Sequence, residues 1–287
     1  MKIKIAHSPD ADDAFMFYAL TYGKINTDGL KFENVLQDIQ LCNEDAKKGK
    51  YEVSAISFAA YPFIANTYAL LNCGSSMGER NYGPVLVSKK PVSLKQLPHK
   101  TVAVPGTLTT ATLLLKILCA EAKTVVMPFD KIMDAVKQDK VDVGLLIHEG
   151  QLTFAEEGLE LVLNFGDWWY EKEGLPLPLG GNVIRRDIEP KLQNKIASLL
   201  KESIEYGIAH RREALQYAKQ FSRGITTDEK KIDTFVGWYV NERTVDMGDE
   251  GRHAVQRLLE LAASIGHCDP INLEFVGAGS SENRRNA

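Results

Sequence analysis

The sequence predicts an α/β protein folded as two lobes around a ligand cleft. Short apolar runs of strand length alternate with amphipathic runs of helix length through most of the chain, the rhythm of βαβ units. That rhythm breaks at a glycine-rich stretch, "GSSMGERNYGP" (74–84), and at the proline-bearing run after it, then restarts at Thr101. The length, 287 residues, is more than one small domain needs and is enough for two lobes with cores of their own.

Taken in order, residues 2–6 read as a first strand and "DDAFMFYALTYGKI" as a helix, with apolar Phe15, Tyr18 and Tyr22 on one face. "LKFENVLQ" and "YEVSAISF" are strands on either side of the helix "IQLCNEDAKKGK". A short helix "AAYPFIAN" and the strand "YALLNC" follow. This pattern implies a mainly parallel sheet with helices on its faces. Beyond the break, "TVAVPG", "KTVVMPF", "VDVGLLIH" and "LELVLNFG" are strands, and "TLTTATLLLKILCAE" and "DKIMDAVKQDK" are helices. "WWYEKEGLPLPLGGNVIRR" mixes aromatics, prolines and glycines and brings the chain back to the first lobe. Three helical segments from 189 onward pack on that lobe, and the polar tail "GAGSSENRRNA" is frayed. The expected division is 1–91 with 182–287 as lobe I and 92–181 as lobe II.

Hydrophobic residues make up 44% and charged residues 25%, an ordinary globular composition. With 34 basic against 38 acidic residues the formal net charge is −4, so there is no electrostatic case for nucleic acid or an anionic membrane. No apolar stretch has the length of a membrane span. The start "MKIKIAHSPD" has too few apolar residues for a signal-peptide core, so a cytoplasmic setting is expected. Cys42, Cys73, Cys119 and Cys268 are far apart and form no C-x-x-C pair, which predicts reduced, mostly buried thiols.

In a two-lobed α/β fold ligands bind at carboxyl ends of strands and amino ends of helices. Five junctions therefore carry candidate chemistry. In "HSPDADDAF" Ser8, Asp10, Asp12 and Asp13 either cap a helix or accept hydrogen bonds from ligand hydroxyls. A metal site has no further carboxylate in phase. In "VSAISFAAY" Ser54 and Ser57 flank a strand end. In "VPGTLTTAT" Thr107, Thr109 and Thr110 open a helix whose free N–H groups suit an anion, although the lysine and glycine pattern of a P-loop is absent. Glu79, Arg80 and Asn81 sit in the inter-lobe loop. Finally, "LLIHEG" puts His148 and Glu149 at a strand end. An imidazole accepts a proton near neutral pH, but neighbours on a strand point to opposite faces, so a His–Glu pair is not assumed. No nucleophile elbow, zinc-protease or dinucleotide fingerprint accompanies them. Trp168, Trp169 and Tyr170 read as core or cleft-wall aromatics.

Several of these blocks together resemble a known family. "SPDADDAFMFYAL", "ISFAAY", "GPVLVSK", "VAVPGTLTTATLLL", "VGLLIHEGQLTF" and "LPLPLGGNVIRRD", in that order from about residue 2 to 251, are similar to the 1,4-dihydroxy-6-naphthoate synthases of the futalosine route to menaquinone. The resemblance implies a fold of the periplasmic-binding-protein type II class, used as a cytoplasmic enzyme with neither metal nor organic cofactor. It implies a lyase that converts cyclic dehypoxanthinylfutalosine, a small anionic substrate, into 1,4-dihydroxy-6-naphthoate. His148 falls on the family's proposed general base. The substrate-contacting segments fall on Ser54, Ala55, Ile56 and Ser57 and on Thr109 and Thr110. Ser8 and Asp13 match the ends of the first loop. Where many relatives carry Ser-Pro-Cys-Pro-Asn-Asp, this chain has Asp10, Ala11 and Asp12 in the middle, so no role carries over to Asp10 or Asp12, nor to Arg80. Two alternatives stand beside this reading: a chorismate dehydratase of the same route, and a solute-binding protein that only closes on a small organic anion.

Overall fold

The computed structural model describes residues 2–148, 150–221 and 228–277. Their strands form two sheets. The seven-stranded sheet runs, in spatial order, Phe275–Val276, Tyr68–Leu71, Leu177–Arg185, Val53–Ser57, Lys2–His7 and Lys31–Leu36, with Ser76–Gly78 pairing beside Leu177–Arg185. The five-stranded sheet runs Glu160–Asn164, Val85–Ser88, Val143–Leu146, Thr101–Val104 and Lys123–Val126.

Each sheet is parallel where βαβ units build it. Lys2–His7 pairs parallel with both of its neighbours, and Thr101–Val104 does the same in the other sheet. The strands that carry the chain between sheets are antiparallel: Leu177–Arg185 against Val53–Ser57 and Tyr68–Leu71, and Val85–Ser88 against Val143–Leu146. Both sheets are therefore mixed rather than mainly parallel, since each strand that enters from the other lobe runs against its neighbours. Val85–Ser88 belongs to the five-stranded sheet and Leu177–Arg185 to the seven-stranded one, so both crossings lie earlier in the chain than the expected divisions after 91 and 181.

Other expectations shift for local reasons. The segment 168–186, which brings the chain back, divides between a helix and a strand. Phe165–Glu173 is a helix, started by Asn164, whose side chain accepts from the Gly166 and Asp167 N–H groups, and ended by Gly174 in the left-handed region. Leu177–Arg185 is a nine-residue strand. The helix from 189 breaks at His210 into Pro190–Ala209 and Arg211–Ala218, and residues 58–63 wind as a tighter 3₁₀ helix around Pro62. Residues 278–287, most of the polar tail, lie outside the described residues.

Helix Ala11–Thr21 is buried from Ala11 to Leu20 because Pro190–Ala209, Arg211–Ala218 and Glu229–Tyr239 cover the side turned away from the sheet. Cys42, Cys73 and Cys119 are buried free thiols, and burial pushes the Cys73 thiol up to about 12. No helix among the described residues is long and apolar enough to cross a membrane.

Candidate functional site

The two sheets present their junctions to one cavity with about 760 Å³ of space between protein atoms, part of it open to solvent. Ser8, Asp10, Asp12 and Asp13, then Ala55, Ile56 and Ser57, line it from the seven-stranded side. Thr109, Thr110, Ile147, His148 and Gln151 line it from the five-stranded side. Leu179 to Asn182, on the returning strand, and Phe235 and Tyr239, on helix Glu229–Tyr239, complete the wall.

Ser54 is not on that wall. Ser54 is fully buried between Lys2–His7 and Leu177–Arg185. Arg80 is elsewhere too, its guanidinium 4.6 Å over the ring of Tyr170. Trp169 is fully buried, its indole N–H donating to the Pro176 carbonyl at 3.0 Å. Glu149 lies outside the described residues.

The aspartates at the first junction are not simple caps. Asp10 is the N-cap residue of Ala11–Thr21, yet its side chain makes no capping hydrogen bond. Instead its Oδ2 accepts from the Ser8 hydroxyl and stands 3.1 Å from Nδ1 of His148. Asp13 accepts the Ser8 N–H at 2.8 Å. Burial, reinforced by the Asp10 charge, raises the Asp12 carboxyl to about 7, and burial with both neighbouring carboxylates holds Asp13 well above the usual range. Near neutral pH this edge of the cavity offers both carboxylate acceptors and carboxyl donors.

Ser57 is held from behind by Asn43, which is fully buried. Asn43 Oδ1 accepts the Ser57 N–H at 2.8 Å, and its Nδ2 donates to the Ser57 hydroxyl at 3.1 Å. The hydroxyl therefore keeps its own hydrogen for a ligand. Thr109 caps helix Thr110–Leu118 by accepting the Thr112 N–H, and donates to the Gly106 carbonyl at 3.0 Å. Thr110 donates to the Leu179 carbonyl at 2.6 Å and accepts the Ala59 N–H at 3.2 Å, so its hydroxyl ties the helix start to the opposite lobe. The donors this junction leaves for an anion are backbone N–H groups of the first helical turn. Among the described residues lining the cavity there is no lysine or arginine.

His148 closes strand Val143–Leu146 in the left-handed region, at φ 59°. That conformation is rare for a residue with a Cβ and persists where surroundings enforce it. The ring lies edge-on to Phe129, centroids 4.7 Å apart, and its carbonyl accepts the Gln151 N–H at 3.1 Å. With its oxygen toward the His148 N–H (3.2 Å) and its nitrogen toward the Gly83 carbonyl (2.5 Å), the Gln151 amide joins His148 to the inter-lobe crossing. The Tyr239 hydroxyl sits 2.8 Å from the same amide. Gln151, Asn182, Phe235 and Tyr239 carry no site assignment from the sequence, and Asp10, a candidate cap or hydroxyl acceptor there, stands against His148 instead. The pair of glycines before Asn182, inside a strand, is the one local signal of close approach there.

This geometry meets its relatives in known proteins. The fold is that of periplasmic binding proteins: an alkanesulfonate-binding protein of Xanthomonas axonopodis aligns with a TM-score of 0.69 at 12% identity, over 93% of each chain. A crystal structure from Archaeoglobus fulgidus aligns more tightly, with a TM-score of 0.88 and 46% identity over 92% of this chain and 98% of that one. A Thermus thermophilus protein named 1,4-dihydroxy-6-naphthoate synthase is 35% identical over 93% of this chain and 96% of its own. The family described as menaquinone biosynthesis matches residues 3–264. That span contains both sheets' pairing at the cavity and every residue on its wall, and the chain belongs to this family of menaquinone-biosynthesis enzymes.

Proposed function

We propose that the chain is a carbon–carbon lyase that converts cyclic dehypoxanthinylfutalosine into 1,4-dihydroxy-6-naphthoate, with His148 as general base. The observation that carries the residue-level reading is the convergence of both lobes on a cavity whose described wall holds a single imidazole, at a strand end. The substrate's aromatic carboxylate docks at the first turn of helix Thr110–Leu118, where free N–H groups and the dipole favour an anion. The Ser57 hydroxyl supports the bound molecule, and the carboxyl groups of Asp12 and Asp13 meet its sugar hydroxyls. His148 removes a proton from the sugar portion and starts the fragmentation that ends in the aromatic ring. Aromatisation supplies the driving force, so the protein's task is one base, correct positioning and exclusion of water. A cytoplasmic setting belongs to the same proposal.

The test is turnover by the purified protein. Cyclic dehypoxanthinylfutalosine is expected to yield 1,4-dihydroxy-6-naphthoate, and chorismate is expected to remain unchanged. Dehydration of chorismate would move the chain to the dehydratase reading. Binding with no turnover of either would move it to a solute-binding role. His148→Ala is expected to lower kcat by about 10²–10⁴-fold, the worth of a positioned general base. Near wild-type turnover in that variant would remove His148 from the mechanism.

A further inference from the structure

We infer that Asp10 is a positioning residue for His148: reaching across the cleft, its carboxylate holds Nδ1 of the imidazole as the N–H side and leaves Nε2 as the proton acceptor. The inference rests on the proposal that His148 is the base.

Observations on both sides of the cleft carry it. Asp10 Oδ2 is 3.1 Å from His148 Nδ1, hydrogen-bond distance for a charge-assisted pair. The Asp10 side chain is 2% exposed and that of His148 15%, so solvent screens the contact weakly. Asp10 occupies a helix N-cap position without capping, so its carboxylate is committed to something other than the helix. The Ser8 hydroxyl donates to the same oxygen, fixing the carboxylate from its own side. The partner is fixed as well, for His148 sits in the left-handed backbone region with Phe129 against its ring and Gln151 on its backbone. A loosely held pair would need neither support.

The two residues come from different sheets, which gives the pair a second consequence. Asp10 follows strand Lys2–His7, and His148 follows strand Val143–Leu146. Their contact exists only while the lobes are closed on each other. Closure therefore selects the Nδ1–H tautomer and stabilises the imidazolium in the state that also excludes water. In the proton transfer, the substrate's proton goes to Nε2, Nδ1 keeps its own, and the Asp10 charge balances the resulting cation. Among the described residues, the other titratable groups on the cavity wall are Asp12 and Asp13, beside Asp10, and Tyr239, which reaches the Gln151 amide. On the helix that supplies Phe129, Asp130 is paired with Lys131 at 3.0 Å.

Asp10→Asn separates this role from a structural one, because asparagine keeps the size of the side chain and an acceptor oxygen for the Ser8 hydroxyl while removing the charge. The substitution is expected to leave the melting temperature and KM near wild type and to lower kcat at least about tenfold. The acidic limb of the kcat/KM profile is expected to move to lower pH, since a carboxylate favours the imidazolium. Asp10→Glu restores the charge and is expected to recover part of kcat. Nitrogen-15 NMR of the six histidines, with His148→Gln to identify the signal, reads the same point without substrate. The wild type is expected to show His148 protonated at Nδ1, and Asp10→Asn is expected to lower its midpoint by about one pH unit. A wild-type His148 protonated at Nε2, or a midpoint and kcat unchanged by Asp10→Asn, overturns the inference. If the protein does not turn over the futalosine substrate, the NMR result still decides the role of Asp10.

Discussion

Asp12 and His7 lie on the same short segment and pull stability in opposite directions as pH falls. His7 is 1% exposed, its ring 4.5 Å from that of Phe17, and burial lowers it to about 4. A buried neutral histidine contributes stability above the unfolded value of 6.5 and loses it as pH falls toward 4, about 3 kcal/mol in all. Asp12 behaves in reverse. Burial raises it from 3.8 to about 7, so its stabilising protonated form is fully present at the low end and is lost as pH rises through 7. The amount is at most about 4 kcal/mol. The two slopes offset each other between about pH 4 and 7. Asp12→Asn removes one of them. The variant is expected to melt above wild type at about pH 8, with the advantage disappearing toward about pH 4. Its own melting temperature is expected to fall more steeply on acidification. Thermal denaturation across that range checks this, and parallel curves for the two proteins would refute the assignment.

At the scale of elements, rules for strand ends and helix starts brought the first junction, Ser57, the threonine junction and His148 to one cavity. They worked because each such residue is placed by its own βα unit, which is local. They failed for Ser54, which is fully buried between Lys2–His7 and Leu177–Arg185, while Arg80, to which no role carried over, stands over Tyr170 rather than in the cleft. Phe235 and Tyr239 were beyond reach for a different reason. Helix Glu229–Tyr239 reaches the cavity by packing on Ala11–Thr21, a long-range contact that local periodicity does not encode. The threonine junction also does something its sequence did not announce. Thr110 anchors the helix start to Leu179 and Ala59 instead of offering its hydroxyl to a ligand. Thr110→Val leaves both partners short of a bond at a site 2% exposed and is expected to cost about 1–3 kcal/mol of stability. Because the turn proposed to hold the substrate's carboxylate then loses its anchor, KM is expected to rise more than kcat falls. Thr110→Ser, which keeps the hydroxyl, is expected to stay near wild type. Equal kinetics for the valine and serine variants would show that the anchor does not serve the site.

At the scale of the whole molecule, the cavity exists because two sheets are held at one distance. The chain passes between them twice, and the two passages touch at Gly166. A Cβ there would stand 2.2 Å from both the Glu79 and Tyr82 carbonyl oxygens. Both obstacles are backbone atoms of the outgoing crossing, so no rotamer change relieves the clash. Gly83, on the same crossing, faces the Gly166 backbone nitrogen in turn, at a Cβ–N distance of 2.9 Å. Next to this point Gly83 also receives the Gln151 amide that supports His148. Gly166→Ala must therefore push the crossings apart or unseat helix Phe165–Glu173. Overpacking of this kind typically costs about 1–3 kcal/mol, and more where backbone cannot yield. The chain has no lysine or arginine on the described cavity wall to draw the lobes together through a bound anion, so a displaced crossing has little to correct it. The expected outcome is a melting temperature several degrees below wild type. In the protein that still folds, kcat is expected to fall although the substitution touches no cavity residue, since Asp10 and His148 sit on opposite lobes and separate with them. The readout that distinguishes lobe displacement from simple instability is kcat measured well below the variant's melting temperature. If kcat there equals that of wild type, the crossings do not set the geometry of the cleft.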